Sequence, residues 1–171
     1  MDFIRSLIRD VPDFPAPGIL FRDVTPLLAD AGAFREVVRH LAAPVRELGV
    51  DVVAGVESRG FIFGAPLAIE LGASFVPVRK AGKLPATTIQ REYSLEYGSS
   101  HLEMHQDALR PGQRVLLVDD LLATGGTARA AAEMIRELGG DLVALSFVIE
   151  LTALDGRAHL PGLNVLSLLK Y

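Results

Sequence analysis

The chain has 171 residues, half of them hydrophobic, with a formal net charge of −4 and no cysteine. This composition predicts one folded domain over 1–171 and excludes a disordered chain, a disulfide framework and a thiolate metal site. The acidic balance argues against nucleic acid as a partner. No apolar run of about 18 residues is free of charges, and the proline-containing N-terminus is unlike a secretory signal. We therefore expect a soluble, cytoplasmic protein with no membrane partner.

The predicted elements alternate between strand and helix after an N-terminal segment of different character. Residues 1–32 contain Pro12, Pro15 and Pro17 and are predicted to form a hood over one end of a sheet. Helical spacing of apolar residues predicts a helix over 34–48, which Pro44 should kink or split. The later apolar stretches predict strands at 51–56, 73–80, 114–119, 141–150 and 163–169, and helices at 61–72 and 127–140. Strands that are apolar throughout indicate an α/β fold whose mostly parallel sheet is covered by helices on both faces.

The stretch 81–108 is polar and only weakly strand-like. A connection of this length is usually a functional loop or disordered, and its position at the edge where α/β sheets bind ligands predicts a lid loop. Within it, His101 and His105 flank Glu103. Because HLEMH lacks the carboxylate position of the HExxH zinc motif, we expect a solvated stretch rather than a metal site.

The segment ATGGT follows a predicted strand and opens a predicted helix. Free N–H groups at a helix N-terminus bind phosphate, and adjacent glycines let the backbone approach a ligand closely. The alternative is an ordinary strand-to-helix turn. The residues predicted to bind phosphate are Ala123, Thr124, Gly125, Gly126 and Thr127.

Asp119 and Asp120 precede this loop by only a few residues. Two negative charges about 4 Å apart repel each other by roughly 4 kcal/mol at an effective dielectric near 20. The carboxylates are therefore expected to face hydrogen-bond donors or a metal rather than the same phosphate. A ribose 5-phosphate fits both features, with its phosphate in the loop and its hydroxyls on the carboxylates.

The whole stretch VLLVDDLLATGGT (115–127) resembles the 5-phosphoribosyl 1-pyrophosphate (PRPP) motif of type I phosphoribosyltransferases. Within that group the chain is similar to the adenine phosphoribosyltransferase family over nearly its whole length. The similar segments are FPAPGILFRDVTPLL (14–28), ESRGFIFG (57–64), VRKAGKLP (78–85), YSLEYG (93–98) and VIELTAL (148–154). The resemblance implies the type I phosphoribosyltransferase fold, a homodimer, and a purine-salvage reaction. In that reaction adenine and PRPP give AMP and pyrophosphate, with Mg²⁺ held mainly by PRPP.

The resemblance also implies roles for individual residues. The 123–127 loop would hold the 5′-phosphate, while Asp119 and Asp120 would bind the ribose hydroxyls and stabilise positive charge at the anomeric carbon. The implied pyrophosphate ligands are Glu57, Ser58, Arg59, Gly60, Arg79, Lys80 and Lys83, with a non-proline cis peptide between Glu57 and Ser58 and the arginine at 79 supplied by the neighbouring subunit. Without the resemblance, ESRG could be an exposed turn and RKAGK a solvated basic turn.

Adenine would lie under the hood, against Leu20, Phe21 and Arg22, in part through their backbone. Relatives that use 6-oxopurines carry an acidic residue where Ala123 stands, so the purine proton must be handled elsewhere. The implied lid residues are Tyr93, Glu96 and Tyr97, with Glu96 as the acid–base group. The alternative for Glu96 is a solvent-exposed loop carboxylate.

Two other functions fit parts of the sequence. A PRPP-sensing regulator would need a nucleic-acid-binding domain or a basic face, and the length and charge provide neither. A transferase for xanthine, hypoxanthine or orotate would keep the PRPP motif, but Ala123 and the FPAPGILFRD segment argue against it.

Overall fold

The computed structural model describes residues 1–94 and 99–171. The N-terminal segment contains helix α1 (Asp2–Ser6), strands β1 (Arg9–Pro12) and β2 (Leu20–Asp23), and helix α2 (Thr25–Ala29). β1 and β2 form an antiparallel pair that is separate from the central sheet. The predicted hood segment therefore has a small sheet of its own.

The helix predicted over 34–48 is split at its proline. Helix α3 (Ala31–Ala42) is followed by a 3₁₀ turn (Ala43–Leu48) that contains Pro44. Proline lacks the N–H that an α-helix needs in its interior, so the change of helix type at this point is expected. At the other end, the side chain of Asp30 caps α3 by accepting a hydrogen bond from the Ala33 N–H at 2.9 Å.

In the described residues, the central sheet has seven strands: β3 (Val52–Val56), β4 (Ser74–Lys80), β5 (Thr88–Ser94), β6 (Ser99–His105), β7 (Arg114–Leu122), β8 (Asp141–Glu150) and β9 (Val165–Lys170). They lie in the order β5-β6-β4-β3-β7-β8-β9. Strands β3, β4, β7, β8 and β9 are parallel, whereas β6 is antiparallel to β4 and β5. Helices α4 (Arg59–Leu71) and α5 (Gly126–Glu137) connect β3 to β4 and β7 to β8. The mostly parallel α/β sheet and all five strands predicted for it are confirmed.

Hydrophobic cores lie on both faces of this sheet. Phe63 and Leu67 of α4 pack on one face together with residues of α3, and Met134 and Ile135 of α5 pack on the other. All five residues of β3 are buried. Burial on both faces explains why the parallel strands read as continuous apolar runs. No helix in the described part of the chain is long and apolar enough to cross a membrane.

The segment 81–108 differs from the expected loop, because half of it forms β5 and β6. The two strands pair from Thr88 opposite His105 to Ser94 opposite Ser99, and they extend the sheet beyond β4. Leu102, Glu103 and Met104 are buried, so the expectation of a solvated stretch is wrong for these residues. A hairpin at the sheet edge packs mainly one face, which explains its polar sequence. Residues 95–98, including Glu96 and Tyr97, lie outside the described residues.

Candidate active site

A cleft of about 530 Å³ opens where the neighbouring strands β3 and β7 end. Ligands of open α/β sheets bind at this carboxyl edge. The cleft is lined by Val56, Glu57, Ser58, Arg59, Lys80, Tyr93, Leu102, Asp119, Asp120, Leu121, Ala123 and Thr127. The structure thus brings together residues from both loops predicted to bind phosphates, the two aspartates between them and one residue of the predicted lid.

Loop 57–60 comprises the connection of Glu57 and Ser58 after β3 and the first two residues of α4, Arg59 and Gly60. The peptide between Glu57 and Ser58 is cis, as the resemblance implied. Gly60 lies so close to β7 that a Cβ there would be 2.9 Å from Asp119 Oδ1 and 3.0 Å from the Val118 carbonyl oxygen. A side chain at position 60 would therefore push the start of α4 away from the aspartates.

Arg59 links the aspartate pair to the hood. Its Nε lies 2.8 Å from Asp120 Oδ2. Its guanidinium carbon lies 5.1 Å from the centre of the Phe21 ring, within the range of a cation–π contact. The residue predicted to bind pyrophosphate thus contacts both the predicted ribose site and a predicted adenine-binding residue.

Asp119 and Asp120 reduce their mutual repulsion in two ways. Burial and the negative charge of Asp120 raise the pKa of Asp119 well above its ordinary value. Asp119 also accepts a hydrogen bond from the Asp120 backbone N–H at 2.8 Å, and Asp120 is neutralised by Arg59. Asp120 therefore becomes available to a ligand once Arg59 moves.

Glu57 contacts three of the predicted pyrophosphate-binding residues on one side of the cleft. Lys83 Nζ lies 2.7 Å from Glu57 Oε1, and Arg79 Nε lies 3.2 Å from Oε2. The Lys80 backbone N–H donates to Oε2 at 3.0 Å. Burial alone would raise the pKa of Glu57, but these hydrogen bonds and the Lys83 charge outweigh it, so the pKa lies below its ordinary value. Arg79 here contacts Glu57 of its own chain, and its role across a subunit interface stays a prediction.

Glu103 is a site residue that sequence reasoning did not find. Its buried carboxylate accepts hydrogen bonds from the backbone N–H groups of Lys83 at 2.8 Å and Leu84 at 2.7 Å. Burial opposes ionisation, yet these backbone hydrogen bonds lower the pKa of Glu103. The carboxylate therefore fixes the turn that carries Lys83. The sequence offers only a weak signal, since Glu103 stands between Leu102 and Met104 in an otherwise polar stretch.

The 123–127 loop is held by close backbone packing. Gly125 has φ of +85°, and a Cβ there would overlap the carbonyl oxygen of Gly156. Helix α5 begins at the next residue, and the first N–H groups of a helix have no partner within it. A small cavity at this loop is lined by all five predicted phosphate-binding residues together with Asp119 and Phe147, among others. The loop can thus offer backbone N–H groups and two threonine hydroxyls to an anion.

The three residues predicted to bind adenine lie on β2. Phe21 packs edge-to-face against Phe14, with ring centres 5.1 Å apart. The Arg22 side chain pairs with Asp10 and covers the ring of Tyr171 at 4.1 Å. Leu20 is exposed. Contact between these residues and adenine stays a prediction.

The parallel sheet, the acidic pair and the glycine-containing loop at its carboxyl edge define a phosphoribosyltransferase. In agreement, the family model "Phosphoribosyl transferase domain" matches residues 27–157. The chain belongs to the adenine phosphoribosyltransferase family.

Relatives of that name match the chain over its whole length. The adenine phosphoribosyltransferase of Solibacter usitatus is 58% identical over 100% of this chain and 99% of its own. That of Trichormus variabilis is 56% identical over 98% of this chain and 99% of its own.

Solved structures agree. The Thermoanaerobacter pseudethanolicus enzyme superposes with a TM-score of 0.97 at 52% identity, covering 99% of both chains. The Saccharomyces cerevisiae enzyme, complexed with an imino-altritol bisphosphate and adenine, has a TM-score of 0.93 at 40% identity, covering 98% of this chain and 97% of its own.

Proposed function

We propose that this protein transfers the 5-phosphoribosyl group of PRPP to adenine in purine salvage, giving AMP and pyrophosphate. The observation that carries the proposal is the Asp119–Asp120 pair, set between two strand-to-helix loops in one cleft. In the reaction, a ring nitrogen of adenine bonds to the anomeric carbon, the bond from that carbon to pyrophosphate breaks, and the nitrogen loses its proton.

The 123–127 loop would bind the 5′-phosphate, because helix N-termini combine free N–H groups with partial positive charge. The ribose would then lie beside Asp119 and Asp120. The negative charge on Asp120 would then stabilise the positive charge that develops at the anomeric carbon. Such preorganised charge is often the largest contribution to catalysis.

The pyrophosphate end of PRPP would lie at the loop 57–60 and the cations around Glu57. Lys80 lines the cleft, and Arg79 and Lys83 contact the Glu57 carboxylate. We infer that Arg59 exchanges Asp120 for the pyrophosphate group when substrate binds. That exchange would free Asp120 for the ribose at the same moment.

Mg²⁺ fits the site as a partner of the substrate. In the described ranges, no group of three or more histidine, aspartate or glutamate side chains could hold a metal ion. Asp120 contacts Arg59, and the raised pKa of Asp119 makes it a weak ligand. Mg²⁺ would therefore bind mainly through PRPP oxygens and neutralise charge on the leaving diphosphate.

Adenine specificity rests on position 123 and on the hood. Ala123 lines the cleft and cannot exchange a proton with a 6-oxopurine. We propose Glu96, outside the described residues, as the group that takes the proton from adenine, with Tyr93 and Tyr97 in the same lid. We further propose a cytoplasmic homodimer, on the strength of the family resemblance.

A nucleotide-formation assay tests the function. The protein is mixed with PRPP and Mg²⁺ and with adenine, hypoxanthine, guanine, xanthine or orotate in turn. We expect AMP from adenine and only trace product from the other bases. Efficient product from a 6-oxopurine or from orotate, with none from adenine, would overturn the proposal.

A further inference from the structure

The ion pair between Glu150 and Arg157 lies behind the 123–127 loop, and neither residue lines the cleft. We propose that this pair positions the loop: it fixes the turn at Gly156 against the loop backbone and thereby sets the affinity for the 5′-phosphate. The inference rests on the proposed function, because it assigns the loop to that phosphate.

The pair is part of a closed hydrogen-bond network. Arg157 Nε lies 2.6 Å from Glu150 Oε1, and Nη2 lies 2.7 Å from Oε2, so the contact is bidentate. Arg157 Nη1 also donates to the Val165 carbonyl oxygen at 2.8 Å, and the Ser167 hydroxyl donates to Glu150. Glu150 is only 5% exposed. The guanidinium therefore links the turn after β8 to the last residue of β8, Glu150, and to the first residue of β9, Val165.

This turn touches the loop directly through backbone atoms. Gly156 is buried, and a Cβ there would overlap the Ala123 carbonyl oxygen. In the other direction, a Cβ at Gly125 would overlap the Gly156 carbonyl oxygen. The Leu122 side chain also lies against Gly156, 3.0 Å from the position of such a Cβ, so the turn has little room to move without displacing the loop. Any movement of Gly156 is thus passed to Ala123 and Gly125, whose backbone would face the phosphate.

The geometry needs arginine at position 157. A planar guanidinium reaches both oxygens of Glu150 and a backbone carbonyl at once, which a lysine ammonium on a flexible stem does not do with the same precision. Residues next to a site commonly act by holding its ligands in the productive geometry. Arg157 is therefore a positioning residue for substrate binding.

The test compares Arg157→Gln and Arg157→Lys with wild type. The matched control is Arg114→Gln, because Arg114 joins a carboxylate, Asp141, and a backbone carbonyl, Leu48, at the opposite ends of β7 and β8. Three quantities are measured: steady-state kinetics for both substrates, ribose 5-phosphate binding by calorimetry, and thermal unfolding. For Arg157→Gln we expect the KM for PRPP and the Kd for ribose 5-phosphate to rise about tenfold, which corresponds to roughly 1.4 kcal/mol.

The KM for adenine and kcat should stay within about twofold of wild type, because the lost contact acts in ground state and transition state alike. Arg157→Lys should recover part of the affinity, and Arg114→Gln should bind ribose 5-phosphate like wild type. The proposal is overturned if folded Arg157→Gln binds ribose 5-phosphate like wild type, or if its two KM values and kcat worsen together. Should Arg157→Gln fail to fold, wild-type affinity in Arg157→Lys and in Ser167→Ala would overturn it instead.

The two proposals fail separately. If wild type forms no AMP but binds ribose 5-phosphate, the proposed function fails while the titration still decides the role of Arg157. If wild type also fails to bind ribose 5-phosphate, both proposals are overturned.

Discussion

Loops 57–60 and 123–127 leave neighbouring parallel strands at the same edge of the sheet, but different interactions hold them. In the first, Glu57 pairs with Lys83 and Arg79, and Arg59 pairs with Asp120. The second contains no charged residue, and glycine-to-glycine backbone contact fixes it. If the proposed function is correct, the first loop would exchange ion pairs when a diphosphate binds, whereas the backbone contacts of the second already fix its shape. The two ends of PRPP would thus be recognised by an adaptable site and a preformed one.

The largest effect is expected from removing the negative charge of Asp120, which pairs with Arg59 and would face the ribose. Asp120→Asn should lower kcat by about 10²–10³-fold, the range seen when one transition-state electrostatic contact is lost. The KM for PRPP should change much less, because the asparagine retains hydrogen-bonding capacity. Single-turnover AMP formation measures the chemical step directly. The control is Asp141→Asn, because Asp141 is an exposed ion-pair partner of Arg114 at the opposite edge of the sheet. Equal kinetics for Asp120→Asn and Asp141→Asn would contradict the electrostatic role.

A somewhat smaller effect is expected from disturbing the preformed loop. Gly125→Ala places a Cβ against the Gly156 carbonyl oxygen at a φ of +85°, so the loop must move. Displacements of about 1 Å at a site can cost about 10²-fold in rate, and we expect a loss of that order in kcat/KM for PRPP. Gly112→Ala is the control, because it has φ of +81° but nothing within 4 Å of the added Cβ. If both variants lose activity equally, backbone strain rather than the contact with Gly156 is responsible.

Salt concentration should affect ligand affinity at the two loops differently. Exposed charges are screened over roughly 8 Å at 0.15 M salt, and the cations near Glu57 lie in an open part of the cleft. Raising the salt concentration at fixed free Mg²⁺ should weaken PRPP binding by about tenfold and ribose 5-phosphate binding by much less. Calorimetric titration of both ligands gives the comparison. Equal salt dependence for the two would mean that the 123–127 loop relies on the same cations.

The sequence predicted the position of the 123–127 loop better than the ion pairs around loop 57–60. The local motif ATGGT contains the glycines and the helix start that favour a phosphate-binding loop, and the neighbouring aspartates and the family resemblance favoured this over an ordinary turn. Likewise, continuous apolar stretches predicted every parallel strand. The partners of Glu57 and Arg59 come from distant parts of the chain, and no local pattern specifies such pairings. For the same reason Glu103 and Arg157 were missed: each acts through residues far away in the sequence.

The hairpin of β5 and β6 was missed for a related reason. Its strands are polar because one face is open, and they gain stability by pairing at the edge of β4 rather than from their own propensity. Only Leu102 and Met104, alternating around Glu103, indicated a buried side. The lid function of the residues beyond Ser94 stays a prediction.

The smallest effect concerns stability rather than rate, and it tests the support of the preformed loop. The bidentate Arg157 contact lowers the pKa of Glu150 from 4.5 to about 2, against the opposing effect of burial. A full shift of this size corresponds to roughly 3 kcal/mol, but Arg157 is 39% exposed, so screening reduces our expectation to about 1 kcal/mol. Because the folded-state pKa is the lower one, this stabilisation is complete above pH 4.5 and is lost as pH falls toward 2.

Urea unfolding at several values between pH 7 and pH 3 tests this expectation. The difference in unfolding free energy between wild type and Glu150→Gln should be constant down to about pH 5 and then narrow. Asp141→Asn provides the comparison with an exposed pair, for which little narrowing is expected. A gap for Glu150→Gln that stays constant to pH 3 would mean that the ionised carboxylate does not stabilise the turn at Gly156. In that case, the hydrogen bonds of Arg157 to backbone would have to hold the loop alone.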